Sequence, residues 1–249
     1  MADARYEVPR LVELYDSLYA NDSALAAYVA MVAEFGSREV LDIGCGTGTF
    51  ACLLAERGYS VTGLEPALAS LEIARRKPYA DRVQWVHGTV DVLGDLQADL
   101  ATLTGNTVQY FLTDTEWSAA LAVIRRSLRP NGRLVFETRN PDRHPWQTWD
   151  RAHTYATKAI PGIGTVATWH EITHVSGDLI TYRSSYEFES DGAVLTSDST
   201  LRFRDRRTVE ESLKDAGFTV AEVREAPDRP GRELVFIAIR PADHEGLSS

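Results

Sequence analysis

The chain has little of three things: cysteine, long apolar runs and basic charge. Only Cys45 and Cys52 occur, in and just after a glycine-rich turn, where a helix would carry them too far apart to pair easily. No uninterrupted apolar stretch approaches the roughly 18 to 20 residues of a membrane-spanning helix, and the charged first residues show no leader pattern. We therefore expect a cytoplasmic protein without a disulfide framework, an export signal or a membrane anchor.

The charge balance bears on the class of partner. Lys and Arg total 26 against 36 Asp and Glu, which gives a formal net charge of −10. A surface of this sign repels a polyphosphate backbone unless basic residues cluster on one face. Nucleic acid substrates are therefore disfavoured, and a small-molecule partner is expected. The oligomeric state is left open.

The hydrophobic pattern predicts two N-terminal helices, over residues 11–19 and 25–35, because apolar positions recur there at helical spacing. Short apolar runs then alternate with helical segments, which favours an α/β fold with a doubly wound parallel sheet. The predicted strands cover residues 40–43, 60–64, 83–87, 100–104 and 134–138, and the helices between them cover residues 49–57, 68–77 and 115–128.

The alternation stops after Asn140-Pro141. Three strand-like runs follow without a helix, separated by Gly177-Asp178 and Asp191-Gly192, which are typical hairpin turns. These runs predict a three-stranded antiparallel excursion from the main sheet. A helix over residues 208–216 and strands over residues 218–224 and 233–240 return the chain to that sheet.

The pattern thus divides the chain into four parts. N-terminal helices occupy residues 1–37, and an α/β core occupies residues 38–140 and 206–240. The antiparallel excursion occupies residues 141–205. Residues 241–249, small and polar, are expected to be a flexible tail.

The most specific local signal is the glycine-rich turn that joins the first predicted strand to the first core helix. It reads Asp42-Ile43-Gly44-Cys45-Gly46-Thr47-Gly48, which differs from the G-x-G-x-x-G spacing of dinucleotide sites. Such a turn lets backbone N–H groups approach a bound ligand closely. The second strand ends at Glu65-Pro66, and a carboxylate about 20 residues after the turn suits the two hydroxyls of a ribose.

This turn, Glu65 and the strand order resemble the class I S-adenosylmethionine-dependent methyltransferase family, over roughly residues 38–140 and 208–240. The resemblance implies a seven-stranded Rossmann-like sheet and S-adenosylmethionine as the cofactor. It also implies a set of contacts to that donor. Asp42, Gly44, Cys45, Gly46 and Gly48 would surround its methionine part, Glu65 would bind the ribose, Pro66, Ala67, Thr89 and Val90 would line the adenine side, and Thr104, Asn106 and Gln109 would lie near the sulfonium or the acceptor.

The segment over residues 15–19 resembles the lid helix of small-molecule members of this family, especially N,N-dimethyltransferases that act on amino sugars. Those enzymes have a similar excursion after the fifth strand. The resemblance implies that residues 1–37 form lid helices and that the excursion, residues 141–205, forms the acceptor side of the site. The resemblance implies that Tyr15 closes over the donor. Tyr15 and Tyr19 also lie four residues apart, which is the spacing of an ordinary packed helix face, so a core role stays open.

Methyl transfer needs mainly the alignment of nucleophile, methyl carbon and leaving sulfur, and an amine or hydroxyl acceptor must also lose a proton. Four histidines lie in the excursion, and from them we take His144 and His170, with Tyr15, as candidate catalytic residues. His170 and His174 share one face of a strand by alternation. No third ligand accompanies them, so no metal is expected. Trp146 and Trp149 suit either stacking on an acceptor or covering a sheet edge.

The leading hypothesis is methyl transfer from S-adenosylmethionine to a nitrogen or oxygen of a small molecule. One alternative is a nicotinamide-dependent oxidoreductase on a similar sheet, against which the spacing of the glycines argues. Another is a non-catalytic module that binds the donor or docks a second protein.

Overall fold

The computed structural model describes residues 2–19, 22–94 and 96–242, and a seven-stranded sheet lies at its centre. Its central strands are rich in buried apolar residues, as expected for a sheet covered on both faces. Its members are β1 (Glu39–Ile43), β2 (Ser60–Glu65), β3 (Val83–His87), β4 (Ala98–Leu103), β5 (Leu128–Arg139), β10 (Thr219–Glu225) and β11 (Glu233–Ile239).

The strand order is β10-β11-β5-β4-β1-β2-β3. The five strands from β5 to β3 are parallel, whereas β11 runs antiparallel to both β5 and β10. Parallel strands place their carboxyl ends at one edge, and at a point where the strand order reverses the following loops diverge and leave a crevice for a ligand. The edge that holds the ends of β1, β2 and β4 is therefore where a site is expected.

Helices cover both faces of this sheet. The helices of the described residues, which include those of the N-terminal segment and of the excursion, are α1 (Ala4–Glu7), α2 (Pro9–Tyr19), α3 (Asp22–Glu34), α4 (Thr49–Glu56), α5 (Leu68–Ala74), α6 (Asp114–Ser127), α7 (Arg151–Thr154) and α8 (Arg206–Asp215). On one face Phe136 stacks on Phe236 at 5.2 Å and meets Trp117 of α6 at 5.6 Å. On the other face α3 and α4 pack on Val135 and its neighbours.

The antiparallel excursion forms a second sheet, of order β6-β7-β8-β9. Its strands are β6 (Ala156–Ile160), β7 (Gly164–Ser176), β8 (Leu179–Phe188) and β9 (Val194–Arg202). The sequence predicted three of these. The edge strand β6 was missed because four of its five residues are exposed, so it lacks an apolar alternation.

The N-terminal helix α2 joins the two sheets. Leu11 and Leu14 are buried against Tyr186 and Phe188 of the second sheet. The same helix reaches the glycine-rich turn of the first sheet through Asp16.

The predicted fold class, a doubly wound sheet with an antiparallel excursion, is confirmed. The predicted boundaries between segments stay a prediction, and residues 243–249 of the predicted tail lie outside the described residues. Among the helices that the structure describes, none has the length and apolar character needed to cross a bilayer.

Candidate donor-binding and acceptor site

The glycine-rich turn follows β1 and ends where α4 begins at Thr49. Gly44, Gly46 and Gly48 all adopt a positive φ, of +69°, +55° and +74°, a conformation in which a side chain is strained. The N–H groups of Gly44 and Cys45 donate to the Leu64 carbonyl oxygen at 2.8 and 3.0 Å, which fixes the turn to β2. The turn is therefore tight and its backbone lies open to a ligand.

Gly48 shows how closely the turn is packed from below. A Cβ there would come within 2.6 Å of the Trp85 ring and 2.7 Å of Ala74. We expect Gly48→Ala to lower the free energy of unfolding by about 2 to 5 kcal/mol, from backbone strain and overpacking together. Urea unfolding measures this.

Gly58→Ala is the matched control. Gly58 also has a positive φ, of +84°, but its Cβ would meet nothing within 4 Å. It should lose only the strain of about 1 to 2 kcal/mol. Equal losses in the two variants would show that Trp85 and Ala74 do not restrict this turn.

Glu65 ends β2 and is almost fully buried beside the turn. Its Oε2 accepts a hydrogen bond from the Gly46 N–H at 2.8 Å, and its Oε1 accepts one from the Ala67 N–H at 2.9 Å. Burial raises the pKa of this carboxyl, while the two N–H groups act to lower it. Each oxygen keeps a further lone pair, so a fixed carboxylate faces the cavity with two acceptors for a diol.

Asp42 lies beneath the turn and is 1% exposed. Its Oδ1 accepts from the Thr102 hydroxyl at 3.0 Å, whereas its Oδ2 has no hydrogen-bond partner. Burial raises the pKa of Asp42 to about 7. An orphaned buried oxygen at this place fits a site that is completed by a polar ligand or water.

A cavity of about 570 Å³ opens above these residues, a volume typical of a small-molecule site. One wall is the glycine-rich turn with Glu65 and Thr104. The opposite wall comes from the N-terminal helices and from β9 of the second sheet. Eight of the predicted site residues line it: Tyr15, Gly44, Cys45, Gly46, Glu65, Pro66, Thr89 and Thr104.

Tyr15 lies in a row of tyrosines that covers the cavity. Its ring centroid is 5.6 Å from that of Tyr6 and 5.2 Å from that of Tyr19. The Tyr6 hydroxyl is 2.9 Å from that of Tyr110, and the Tyr19 hydroxyl is 3.0 Å from that of Tyr186. These contacts make Tyr15 part of a packed cluster beside the cavity, and its role as a lid stays a prediction.

Asp16 connects helix α2 to the glycine-rich turn. Its carboxylate accepts from the hydroxyls of Thr47 at 2.5 Å and Thr49 at 3.1 Å, and it pairs with the Lys77 ammonium at 2.5 Å. The groups that contact Asp16 thus belong to the turn, to α4 and to the segment after α5. Asp16 therefore fixes α2 to the glycine-rich turn beside the cavity.

We expect Asp16→Asn to speed dissociation of a donor analogue by about two- to fivefold, because a partly exposed ion pair contributes up to about 1 kcal/mol. Surface plasmon resonance with S-adenosylhomocysteine measures the rate. Glu13→Gln removes the same charge from an exposed position of α2 and should leave the rate unchanged. Equal effects of the two variants would show that the contacts of Asp16 with the turn do not slow dissociation of the donor analogue.

Six of the residues predicted to contact the donor or the acceptor do not line the cavity: Asp42, Gly48, Ala67, Val90, Asn106 and Gln109. Asp42 is covered by the turn, and Val90 packs against the apolar core. Asn106 is 2% exposed and donates through Nδ2 to Glu233 at 3.1 Å. Gln109 is also buried, where its Oε1 accepts from Arg139 at 2.7 Å. Direct contacts of these residues with a donor stay predictions.

The two candidate catalytic histidines do not line the cavity. His144 is exposed after β5 and stacks on Trp146 with ring centroids 5.3 Å apart. The Nδ1 of His170 is 2.8 Å from the Ser184 hydroxyl, and burial, with the charges of Arg5 and Arg139, lowers its pKa to about 4. An imidazole with that pKa is a weak proton acceptor at neutral pH. Their catalytic roles stay predictions that this geometry does not favour.

The other candidates of the excursion are explained by packing or exposure. A bulge between Ile172 and His174 interrupts the alternation that was to place His170 and His174 together. In the described residues no three potential metal-binding side chains converge. Trp146 contacts Phe203 at 4.6 Å and Trp149 contacts Tyr182 at 4.7 Å, so both cover the second sheet.

Several lining residues were missed by the sequence analysis. They come from the N-terminal segment through α3, the segment after β4, β5, β9 and the loop before β11, and only the fold brings them together: Asp3, Tyr6, Asp16, Tyr28, Tyr110, Glu137, Asp198, Thr200 and Arg229. No motif surrounds them. The one available signal was Glu137, a charged residue that directly follows the apolar run Leu134-Val135-Phe136.

The strand order, the glycine-rich turn after β1 and the buried acid after β2 are those of a class I methyltransferase fold. Residues 40–132 match the family model described as a methyltransferase domain. The predicted resemblance and S-adenosylmethionine as the cofactor are thereby confirmed.

Individual proteins show the same likeness. The chain is 30% identical over 145 residues to the cypemycin N-terminal methyltransferase of a Streptomyces species, an alignment that spans 57% of this chain and 59% of that protein. Its fold is similar to that of the CcbJ methyltransferase of Streptomyces caelestis, with a TM-score of 0.77, 22% identity, and 93% and 96% of the two chains covered. It is also similar to SAM-bound CalS10 of Micromonospora echinaspora, an amino pentose methyltransferase, with a TM-score of 0.72, 23% identity, and 91% and 96% covered.

Proposed function

We propose that this protein transfers the methyl group of S-adenosylmethionine to a nitrogen or oxygen of a small-molecule acceptor, with an amine nitrogen favoured. The observation that carries the proposal is the shared cavity. Donor-binding groups form one wall, and acidic and hydroxyl groups of the N-terminal helices and the second sheet form the other. A volume of about 570 Å³ leaves room for a small acceptor beside the donor.

The carboxylate and hydroxyl groups of this second wall favour an amine as the acceptor. Asp198 of β9 accepts a bidentate pair from Arg183 at 2.7 and 2.8 Å, and Asp3 accepts from Ser199. Tyr6, Tyr110 and Thr200 add hydroxyl groups beside these carboxylates. Carboxylates attract a protonated amine and accept its hydrogen bonds. Burial raises the pKa of Asp3, which brings it nearer to that of a group able to take up the acceptor's proton.

The residues of the donor wall perform binding and orientation. Glu65 would hold the ribose, the glycine-rich turn would surround the methionine part, and Tyr15 would exclude water from above. The bound cofactor supplies an activated methyl group on its sulfonium. Catalysis then depends on holding the acceptor atom in line with that methyl group.

The relatives support the same class of reaction. By their names, one methylates the N-terminus of cypemycin and another an amino pentose. These activities belong to those proteins, and the chain spans only about three fifths of the length of the cypemycin enzyme. They favour methyl transfer over the nicotinamide-dependent alternative.

The test has two steps. Thermal shift with S-adenosylhomocysteine and with NADH identifies the ligand, and only the first is expected to raise the melting temperature. A panel of amines, each paired with the corresponding alcohol, is then incubated with the donor while release of S-adenosylhomocysteine is measured. We expect release with members of the amine set. Donor binding without release from any acceptor would favour a non-catalytic binding module.

A further inference from the structure

A second buried carboxylate lines the cavity, on β5. Glu137 is 5% exposed and is held at both oxygens: its Oε2 accepts from the Tyr28 hydroxyl at 2.6 Å, and its Oε1 accepts from the Gly105 N–H at 2.7 Å. Tyr28 belongs to α3 and Gly105 follows β4. This carboxylate is therefore fixed in place by two separate elements, as a ligand-binding group is.

The charges around Glu137 favour a cation. Burial raises its pKa, and the neighbouring Glu233 raises it further, while Arg229 acts in the opposite sense. Arg229 pairs with Glu233 at 2.7 Å and with Asp228 at 3.1 Å. One arginine between the two carboxylates of Glu137 and Glu233 leaves an excess of negative charge. A cationic ligand group beside Glu137 would compensate it.

The strand order indicates which ligand group that is. Along the edge of the sheet the order is β3, β2, β1, β4, β5, so Thr89 and Glu65 lie towards one end and Glu137 towards the other. Three strand spacings separate β2 from β5, about 14 Å. Adenine, ribose, sulfonium and amino-acid tail follow one another in the donor. With the ribose on Glu65 and the adenine towards Thr89, the tail extends towards Glu137.

We propose that Glu137 is the direct hydrogen-bond acceptor for the α-ammonium group of the donor's methionine tail, with Tyr28 and Gly105 orienting its carboxylate. The inference rests on the proposed function, since it presupposes that S-adenosylmethionine binds here. It moves the direct contact away from Asp42, which lies outside the cavity lining. An ammonium in contact with a buried carboxylate forms a charge-assisted hydrogen bond, the stronger kind.

Two adenosine ligands test this proposal by calorimetry. S-adenosylhomocysteine carries the amino-acid tail, whereas 5′-methylthioadenosine has the adenine and ribose without it. We expect Glu137→Gln to weaken the binding of S-adenosylhomocysteine by about tenfold or more, because a hydrogen bond to a charged group is lost. Binding of 5′-methylthioadenosine should change by less than about twofold, since Glu137 does not reach its part of the site.

Asp198→Asn provides the control, because it removes the same charge from the opposite wall of the cavity and should leave both affinities unchanged. Tyr28→Phe provides a second variant that retains the carboxylate. It removes only the hydroxyl that orients Glu137. It should weaken the binding of S-adenosylhomocysteine by a smaller factor than Glu137→Gln does, and it should leave the binding of 5′-methylthioadenosine unchanged.

The outcomes separate this proposal from the function it rests on. If the native protein binds neither ligand, the proposed function fails. If it binds both and Glu137→Gln leaves the preference for S-adenosylhomocysteine intact, only the role of Glu137 is overturned. Equal weakening of both ligands would also overturn it, as would loss of turnover with unchanged donor affinity, which would assign Glu137 to the acceptor.

Discussion

Glu65→Ala is expected to weaken S-adenosylhomocysteine binding by about 5- to 150-fold, which corresponds to roughly 1 to 3 kcal/mol. The ribose hydroxyls would be buried in the cavity without an acceptor. The Gly46 and Ala67 N–H groups, which now donate to this carboxylate at 2.8 and 2.9 Å, would lose their partner as well. Isothermal titration calorimetry measures the loss, and a thermal melt without ligand checks that the variant folds.

A ligand with a missing hydroxyl distinguishes a ribose contact from a general disturbance of the turn. The native protein should prefer 5′-methylthioadenosine over its 2′-deoxy analogue, and Glu65→Ala should abolish that preference, because the two changes remove the same interaction. A variant that binds both ligands weakly and still prefers the ribose form would show that Glu65 does not contact the sugar.

The second large effect concerns Asp42 and pH. In the folded protein burial raises its pKa from 3.8 to about 7, so the folded state holds a proton that the unfolded chain releases between these values. The contribution of this group to stability is thus fully present below pH 4, falls as the pH rises towards 7 and is absent above it. At pH 8 the folded protein carries a buried, partly unpaired charge.

Asp42→Asn is expected to remove that penalty, because the amide mimics the protonated carboxyl. A shift of three pKa units corresponds to about 4 kcal/mol, and an unpaired amide group offsets about 1 to 3 kcal/mol of it. Without ligand the variant should therefore be more stable than the native protein at pH 8 by about 1 to 3 kcal/mol. Urea unfolding at pH 4 and pH 8 measures the difference.

The pH dependence of the difference is the decisive feature. Glu65 and Glu137 titrate in both proteins, so their contributions cancel in the comparison to first order. A constant difference between variant and native protein from pH 4 to pH 8 would contradict the raised pKa of Asp42. If Asp42→Asn gains stability relative to the native protein as the pH rises, yet binds the donor less well, Asp42 serves donor binding at a cost in stability.

The sheet could be predicted from the sequence because its signals are local. Short apolar runs, glycines with a required positive φ and helix periodicity each depend on neighbouring residues. The donor wall was predicted for the same reason, since Asp42, Gly44 and Gly46 lie on one turn and Glu65 ends the adjacent strand. Edge strand β6 was not predicted, because most of its residues are exposed to solvent and its sequence therefore shows no apolar alternation.

The opposite wall of the cavity, from the N-terminal helices and β9, could not be predicted from the sequence for a physical reason. Asp16 reaches Thr47, Tyr28 reaches Glu137 and Asp3 reaches Ser199 only after two sheets and three helices have packed together. Histidine chemistry directed the prediction to His144 and His170, whereas the cavity is lined by tyrosines and carboxylates. Residue type alone could not show that the His170 imidazole would be half-buried and hydrogen-bonded to Ser184.

Transfer of an isotopically labelled methyl group tests the central claim most directly. The native protein is incubated with S-adenosylmethionine that carries a trideuterated methyl group and with an amine that releases S-adenosylhomocysteine in the panel. We predict a product that bears the intact trideuteromethyl group on nitrogen, formed in equal amount to S-adenosylhomocysteine and strongly reduced with Glu65→Ala. Tight binding of S-adenosylhomocysteine with no labelled product from any amine or alcohol would contradict the account.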